Sequence, residues 1–311
     1  MRVRACALNH LDLWIRNGLP ALQTPLPFWT GADIAGDVVE VGADVQGVKV
    51  GDRVAVNPNL TCGRCEYCLQ GEDPLCDSFG IIGEHRVGGL AEYVAVDGRN
   101  VLRLPDHIGY ESAAAFILVN MTAWRMLVTQ AALRPGEDLL ILGVGGGVSS
   151  AAVGIGKLCG ARVWVTSSSD DKLERAKALG ADEGINYAKE DWAGAVWQRT
   201  GKRGVDVVLE NVGAATWKHS LRVLAKGGRL VTCGATTGPE AKFDLRFLYS
   251  RQLSLLGSYM GTMGDLHAVL AHVFAGRLKP VVDKSFPLRE ARAAHERMEK
   301  SEQFGKVILN P

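Results

Sequence analysis

The chain has 311 residues, a length that suggests two domains of ordinary size. Hydrophobic residues make up 47% of it and charged residues 22%, which excludes a disordered chain and argues against a membrane protein. The formal net charge is +1, so the composition carries no electrostatic signal for nucleic acid or anionic lipid as a partner. Two counts are unusual: 37 glycines, and seven cysteines of which four lie between Cys62 and Cys76.

The amino-terminal residues 1–10 contain neither a long apolar segment nor a small-residue cleavage site, and do not resemble a signal peptide. The longest apolar stretch, residues 112–128, is interrupted by Asn120, Thr122 and Arg125, so we expect no membrane span. A cytoplasmic location is therefore expected. In that reducing compartment, clustered cysteines bind metal more often than they form disulfides.

The first third of the chain carries short β-branched runs separated by glycines, as in residues 34–50, 53–56 and 91–96. This pattern predicts an irregular, mostly β domain. From about Ser112 the pattern changes to alternating strands and helices.

Residues 139–142 form an apolar run that predicts a buried parallel strand, followed by a glycine-rich turn and a helix through about Cys159. Further predicted strands, at residues 162–166, 205–209 and 229–232, repeat this βα pattern and predict a doubly wound parallel sheet. A predicted helix from Leu266 ends at Gly276, and the remaining tail closes with a strand at residues 306–309. We expect this tail to return to the first domain.

The glycine-rich turn, Gly-Val-Gly-Gly-Gly-Val-Ser at residues 143–149, follows a predicted strand and opens a predicted helix. Backbone amides at such a helix start can hold a pyrophosphate, so the turn predicts a dinucleotide site. The alternative is a tight turn that binds nothing. The candidate cofactor residues, from this turn, the next strand and their surroundings, are Thr122, Gly145, Gly146, Gly147, Val148, Ser167, Ser168, Lys172 and Tyr187.

The strand after the turn ends in three serines at residues 167–169, where an acidic residue would bind the ribose of NAD(H). Asp170 and Asp171 come one turn late, with Lys172 and Arg175 close behind. Hydroxyls and cations suit the 2′-phosphate of NADP(H) better than a ribose diol, so NADP(H) is expected over NAD(H). The alternative is that Lys172 and Arg175 form only the solvated face of their helix.

The cysteine cluster has the spacing Cys62-x2-Cys65-x2-Cys68-x7-Cys76. Four thiolates complete a tetrahedral Zn²⁺ sphere with no open position, which is typical of a structural zinc. An iron–sulfur cluster is the competing interpretation, but the gap of seven residues and Asp77 after the last cysteine differ from the common bacterial spacing. The sequence predicts one structural Zn²⁺.

Several segments together resemble the zinc-containing alcohol dehydrogenase (medium-chain dehydrogenase/reductase) superfamily: the cysteine lobe, the glycine-rich turn, Gly-Asp-Arg-Val at 51–54, Gly-Leu-Ala-Glu-Tyr-Val at 89–94 and Phe-Gly-Lys-Val-Ile at 304–308. The resemblance covers essentially the whole chain. It implies an α/β protein with a GroES-like, mostly β catalytic domain over residues 1–117 and a zinc lobe at 60–78. It further implies a Rossmann domain over 118–276 and a return to the catalytic domain over 277–311.

The resemblance also implies an active site in the cleft between the two domains and a homodimer or homotetramer. Resembling sequences begin with additional strands before the stretch that matches residues 2–5. We therefore expect the first domain to carry an unpaired strand edge.

The residues at the family's catalytic-zinc positions depart from its pattern. The family's Cys-His-(Ser/Thr)-Asp is Asn-His-Leu-Asp at residues 9–12, and its Gly-His-Glu is Gly-Ala-Asp at residues 31–33. The third ligand position holds Leu118, ahead of Thr-Ala-Trp at residues 122–124. All three usual ligands are absent, so the catalytic zinc is expected to be lost while the structural zinc stays. An unorthodox site built from Cys6, His10, Asp33 and His85 is the remaining metal alternative.

Loss of the metal constrains the chemistry, because a bound metal lets an unactivated alcohol lose its proton at neutral pH. Donating a hydride to an electrophilic quinone, enone or enoyl thioester needs less help, since hydrogen-bond donors can stabilise the developing charge. Asn9 is similar to the residue of the zinc-free quinone reductases at this position. We expect NADPH-dependent reduction of such a small molecule. The alternatives are a zinc-type alcohol or aldehyde dehydrogenase and a non-catalytic nucleotide-binding protein.

The candidate catalytic residues are Asn9, His10, Asp12 and His85. Asn9 would donate its amide to a carbonyl oxygen, and its alternative role is that of a turn residue. By family position His10 would lie near the cofactor phosphates, and His85 would donate a proton; each is otherwise an ordinary surface or core histidine. Asp12, like Asp33, would orient these groups or cap a helix.

Overall fold

The computed structural model describes residues 1–18 and 25–311. Its strands are, in chain order, β1 (Arg2–Ala7), β2 (Asp33–Asp37), β3 (Arg53–Val56), β4 (Asn59–Leu60), β5 (Gly80–Ile81), β6 (Val101–Arg103), β7 (Asp138–Ile141), β8 (Arg162–Ser167), β9 (Glu183–Asn186), β10 (Val205–Glu210), β11 (Leu224–Thr232), β12 (Ser254–Gly257), β13 (Val282–Pro287) and β14 (Lys306–Asn310).

The α-helices are α1 (His10–Asn17), α2 (Glu66–Leu69), α3 (Tyr110–Trp124), α4 (Gly147–Leu158), α5 (Asp170–Ala178), α6 (Trp192–Arg199), α7 (Trp217–Arg222), α8 (Leu245–Ser250), α9 (Met263–Phe274) and α10 (Ala291–Glu299). A π-helix, Arg125–Gln130, continues α3. Short 3-10 turns lie at Asp73–Leu75, Gly98–Asn100 and Leu288–Glu290.

The described chain forms two compact units, Met1–Met121 with Thr262–Pro311, and Thr122–Gly261. The helix α9, which the sequence analysis assigned to the second domain, lies in the first unit. Its first amide, at Met263, donates to Asp73 Oδ2 over 2.6 Å, and Phe274 at its other end meets Phe116 edge-on at 6.1 Å. These contacts join residues that are far apart in the sequence, so no local sequence pattern predicts them.

The first unit is built on a six-stranded sheet in the order β13-β14-β1-β2-β3-β6. The central strand β1 pairs antiparallel with β14 on one side and with β2 on the other. Ala7, at its end, stands opposite both Ile308 and Asp33. The return of the C-terminal strand therefore brings the residues after β1, at the start of β2 and at the start of β14 to one end of the sheet.

The second unit holds a six-stranded sheet in the order β12-β11-β10-β7-β8-β9. Every neighbouring pair is parallel, and the β-branched and aliphatic residues of the central strands are fully buried, as the continuous apolar runs predicted. The strand order reverses next to β7, so the turn after β7 lies at a switch point where doubly wound sheets bind ligands. The predicted α/β class is confirmed.

One helical segment, Tyr110–Gln130, is long and apolar enough to cross a membrane by length and composition. Of its most apolar window, 78% is buried inside the protein. Ala113, Phe116, Ile117 and Met121 contribute to that burial and are at most 1% exposed. The segment thus has the burial of a core helix.

Candidate active site and cofactor loop

Two of the positions implied as catalytic-metal ligands, 9 and 118, come together in the first unit around Asp33, which follows the third position, and a lysine joins them. Asn9 Nδ2 donates to Asp33 Oδ2 over 3.0 Å, and the backbone amide of Leu118 donates to Asp33 Oδ1 over 2.8 Å. The ammonium of Lys306 donates to Asn9 Oδ1 at 2.5 Å and to Asp33 Oδ2 at 2.8 Å. The side chains at positions 9, 32 and 118 are Asn, Ala and Leu, none of which is a usual zinc ligand.

Strand pairing positions these groups. β1 and β14 run antiparallel with Ala7 opposite Ile308, and the amide of Leu8 bonds the carbonyl of Val307. One further step along both chains sets Asn9 beside Lys306. Asp33 enters from β2 on the other side of β1.

Burial makes this a strong electrostatic site. The side chain of Asp33 is 0% exposed and that of Lys306 is 3% exposed, so their ion pair is almost fully removed from water. A buried charge is tolerated only with a partner and hydrogen bonds, and Asp33 has three donors. Asn9 is only partly buried, in contrast to Asp33 and Lys306.

Asp12 holds the start of α1 against the next loop. Its Oδ2 accepts from the Asn9 amide at 2.7 Å, which fits the capping role that the sequence analysis left open, and its Oδ1 accepts from the Gly31 amide at 2.9 Å. Burial raises the pKa of this carboxyl, while hydrogen bonds from the Asn9 backbone and the Thr30 side chain lower it. Asp12 thereby orders both backbone segments that carry Asn9 and Asp33.

His10 is the first residue of α1, and its ring lies 6.3 Å from that of Trp14, centroid to centroid. Burial, and secondarily the charge of Lys306, lower the pKa of His10. At neutral pH the imidazole is therefore uncharged. This places His10 next to the Asn9 network, while its relation to cofactor phosphates stays a prediction.

His85 lies on the loop after β5, with its side chain 41% exposed. Its Nδ1 accepts from the Ile81 amide at 3.2 Å and stands 3.8 Å from Glu84 Oε2. Accepting from a backbone amide requires Nδ1 without a proton, so the neutral ring carries its proton on Nε2. Its contacts are with this loop, and its predicted role as a proton donor stays a prediction.

Within the described residues, one group of side chains has the geometry of a metal site: Cys62, Cys65, Cys68 and Cys76. Their sulfur atoms all lie within 4.8 Å of one another, and those of Cys62 and Cys68 are 3.9 Å apart. Tetrahedral Zn–S bonds of about 2.3 Å require sulfurs about 3.8 Å apart, so the cluster fits a structural zinc. The alternative set of Cys6, His10, Asp33 and His85 does not form such a group in the described chain.

Backbone amides support the cysteine cluster. The amides of Arg64 and Cys65 point at Cys62 Sγ from 3.5 and 3.3 Å, and they lower the pKa of Cys62 to about 6. The thiolate form that zinc requires is thus favoured at Cys62, whereas burial raises the pKa of Cys68 to about 12.

The cofactor loop in the second unit runs from β7 into α4. Gly143 has a φ of +63°, and its carbonyl accepts from the Gly145 amide at 2.7 Å, which closes the turn. Ser149 Oγ donates to the Leu142 carbonyl at 2.9 Å and accepts from Asn211 at 3.0 Å, which pins the helix start to β7. The first amides of α4 have no intrahelical partner and face the end of the strand.

Gly146 in this loop and Gly156 in α4 differ in the space around them. A Cβ on Gly156 would meet Leu139 at 2.7 Å and Val163 at 3.0 Å, so Gly156 lets α4 pack closely on the sheet. A Cβ on Gly146 would meet nothing within 4 Å. The protein's own packing therefore does not require glycine at 146, and its predicted contact with a cofactor stays a prediction.

The end of β8 carries the predicted specificity residues. Ser167 Oγ accepts from the Ser169 amide at 3.2 Å, and Ser168 is exposed. Asp170 is bound by Asn186 at 2.6 Å and by Lys189, which neutralises it. The Tyr187 amide donates to the Ser167 carbonyl at 3.0 Å, so this exposed ring stands beside the serines.

The remaining predicted cofactor residues lie in three helices, α3, α4 and α5. Gly147 and Val148 open α4 and are partly buried, whereas Thr122 is buried in α3. Lys172 lies in the first turn of α5, whose start is capped by Ser169 Oγ. All of them remain predicted contacts.

Sequence reasoning missed Lys306 as a site residue. It stands at the first position of a buried strand, in the segment Phe-Gly-Lys-Val-Ile that carried part of the family resemblance. The available signal was a pair of opposite charges, Asp33 and Lys306, each followed directly by apolar residues of a strand. Charges in such places are seldom buried unless they are paired.

Comparison with known proteins agrees with this architecture. Residues 1–106 match the model of the alcohol dehydrogenase GroES-like domain, and residues 147–275 match that of the zinc-binding dehydrogenases. An NAD-dependent alcohol dehydrogenase of Sulfurisphaera tokodaii is 32% identical over 100% of this chain and 92% of its own length. The crotonyl-CoA carboxylase/reductase of Cereibacter sphaeroides is 31% identical over 95% of this chain and 76% of its own length.

Solved structures give the same result. The crystal structure of an NAD-dependent alcohol dehydrogenase is 46% identical and matches with a TM-score of 0.95, covering 100% of this chain and 90% of that one. The crystal structure of AibC is 34% identical, with a TM-score of 0.90 and coverage of 100% and 87%.

The fold and the match therefore define an oxidoreductase of the medium-chain dehydrogenase/reductase type that acts on small molecules. The chain belongs to the zinc-type alcohol dehydrogenase superfamily, which confirms the resemblance found in the sequence.

Proposed function

We propose that the chain is an NADPH-dependent reductase that transfers a hydride to a quinone, an enone or an enoyl thioester without a catalytic metal. The observation that carries the proposal is the network around Asn9, which stands at one of the family's ligand positions. The ammonium of Lys306 donates to Asn9 Oδ1 and Asp33 Oδ2, and the Leu118 amide donates to Asp33 Oδ1, so the polar groups around Asn9 already hold a cation.

The side chains of the network suit an electrophilic substrate. NADPH, when bound, supplies the hydride. Its addition to a conjugated substrate builds negative charge on the carbonyl oxygen, and a preorganised N–H donor stabilises that charge. Asn9 Nδ2 is the donor we assign to this oxygen, and a proton from solvent completes the reduction.

The same site is poorly equipped to oxidise an unactivated alcohol. That reaction needs a group that makes the alcohol proton leave at neutral pH. Asp33 is an acceptor already engaged by three donors, and the relay-hydroxyl position is Leu11. Among the electrophiles, an enoyl thioester draws additional support from the similarity to the crotonyl-CoA carboxylase/reductase.

The NADP(H) preference is proposed from the end of β8. Ser168 is exposed there, and Asp170 is already bound by Asn186 and Lys189. Relatives with the name NAD-dependent alcohol dehydrogenase favour the other cofactor. The double variant Ser168→Asp/Lys172→Ala should move the kcat/KM ratio at least tenfold towards NADH. An unchanged ratio would refute the assignment, and Lys226→Ala, an exposed lysine of the same unit, is the matched control.

A zinc-type alcohol dehydrogenase is the second candidate, because several relatives carry that name. The deciding experiment measures NADPH oxidation against a quinone, an enone, an enoyl-CoA and an aldehyde in parallel, together with zinc per chain. Reduction of a conjugated acceptor with one zinc supports the proposal. Two tightly bound zincs and turnover of the aldehyde alone would favour the second candidate, and tight NADPH binding without turnover would favour a non-catalytic protein.

We also propose a cytoplasmic homodimer or homotetramer. Light scattering after gel filtration tests the assembly, and a mass of one chain would contradict it.

A further inference from the structure

We propose that Lys306 and Asp33 are positioning residues that lock the Asn9 amide in one orientation, with an N–H left for an acceptor on a ligand. The inference deepens the proposed function and rests on it for the identity of that ligand. It concerns the direction of the amide, which three hydrogen bonds in the first unit determine.

The chemistry of the partners fixes this orientation. An ammonium group only donates and a carboxylate only accepts, whereas the Asn side chain has one end of each kind. Asn9 Oδ1 therefore faces Lys306, and Asn9 Nδ2 faces Asp33. A flipped amide would put N–H groups against the ammonium and an oxygen 3.0 Å from the carboxylate, so both contacts would become repulsive.

The amide nitrogen has a donor to spare. Nδ2 carries two hydrogens, and within the described residues Asp33 is the acceptor bonded to it. Asn9 is partly exposed, unlike Asp33 and Lys306. The second N–H is therefore the one that we assign to an acceptor on a ligand.

The buried partners are themselves fixed. Asp33 Oδ1 accepts from the Leu118 amide at 2.8 Å, and Lys306 and Asp33 lie on strands that flank β1 on either side. A donor held this way need not reorganise when charge develops on the substrate, which is the condition for a large electrostatic contribution.

Stability alone gives little reason for the buried pair. Replacing a buried ion pair by well-packed apolar residues is often neutral or stabilising. The pair does, however, prevent the Asn9 amide from turning, which an apolar pair would allow. This specificity is what we assign to Lys306 and Asp33.

The central test exchanges the two residues in the variant Asn9→Asp/Asp33→Asn. It keeps one carboxylate, one amide and one ammonium in the network, so the folded structure retains its charge balance. The new carboxylate at position 9 accepts from Lys306 but has no N–H to offer. We expect unchanged NADPH binding, thermal unfolding within a few degrees of wild type, and kcat for the accepted substrate lowered about 100-fold with little change in KM.

The orientation itself is read by ¹⁵N–¹H spectroscopy of protein labelled at asparagine, with the Asn9 signal assigned from its loss in Asn9→Asp. In the wild type, one Asn9 side-chain proton should be shifted downfield and exchange slowly, and Lys306→Met should abolish both properties. Asn100 is the internal control, because its buried amide donates to the carbonyls of Asn57 and Asn59 at 2.7 Å and does not touch Lys306.

The outcomes separate the two proposals. Should wild-type protein reduce none of the conjugated acceptors, the proposed function fails and the spectra still decide the orientation. Turnover of the exchanged variant within threefold of wild type would overturn the positioning role. An Asn9 signal that Lys306→Met leaves unchanged would overturn it as well.

Discussion

Removal of the Lys306 charge is the sharpest test of the buried network. In Lys306→Met the apolar stem is kept, but Asp33, which is 0% exposed, loses its counter-ion. Breaking a buried pair in this way costs about 3–5 kcal/mol. Asp33 keeps its bonds from Asn9 and the Leu118 amide, so we expect the lower end, about 3 kcal/mol.

For a protein of this size, that loss corresponds to a fall in Tm of roughly 6–12 °C. Differential scanning calorimetry at pH 7 measures it. The double variant Lys306→Met/Asp33→Asn should recover much of the fall, because it also removes the unpaired charge while the new amide still accepts from Leu118. Arg292→Gln is the matched control: Arg292 pairs with Glu296 but is 92% exposed, and its loss should leave Tm unchanged.

Two results would refute this reasoning. A fall of less than 2 °C in Lys306→Met would mean that the pair is not buried as described. A double variant less stable than the single one would mean that Asp33 does not bear an uncompensated charge when Lys306 is removed.

Three further predictions follow from the geometry. Chelation of one zinc per chain, or Cys68→Ser, should lower Tm by several degrees. Cys159→Ser, at a thiol outside the cluster, should keep the zinc content. A full zinc content in Cys68→Ser would contradict the site. Gly146→Ala should weaken NADPH binding at least tenfold with Tm unchanged. Gly156→Ala should destabilise the fold by about 1–3 kcal/mol and so lower Tm, with less effect on NADPH affinity. Fluorescence titration measures the affinity and calorimetry the Tm, and the reverse pattern would contradict both assignments. Burial lowers the pKa of His295 below 6.5, so the unfolded chain takes up a proton there before the folded protein does, and stability should fall as pH drops from about 6.5. His295→Gln should flatten the profile of Tm against pH between pH 7 and 5. An unaltered slope would rule out this contribution.

Local patterns in the sequence were sufficient to predict the parallel sheet of the second unit. The apolar run before Gly143 and the repeated βα units predicted parallel strands, and all pairings of that sheet are parallel. The cysteine spacing predicted a four-sulfur cluster in the same way, because its ligands lie within 15 residues. In these cases the partners are near in sequence or repeat with a fixed period.

The network around Asn9 lay beyond such reasoning. Asn9 and Lys306 are 297 positions apart, and Asp33 and Lys306 are 273 apart. Their contact depends on β14 pairing with β1, and no period or motif within either segment predicts that register. The departures at residues 9, 32 and 118 therefore indicated that the usual metal ligands were missing, but not that Lys306 would contact Asn9 and Asp33.

The contacts of Lys306 bear on how this chain relates to metal-dependent members of its superfamily. A metal ion at such a site supplies positive charge that its ligands hold in place. Here the positive charge is covalently attached to β14 and is held by Asn9, at one ligand position of the family, and by Asp33, next to another. Lys306 is too deeply buried to meet a substrate directly, since its side chain is 3% exposed, so its charge acts through the Asn9 amide that it orients. An amide donor can stabilise a charge that develops on an oxygen but provides no route for removing a proton from an alcohol. Such a donor therefore suits acceptors already activated by conjugation, as in the reaction proposed above.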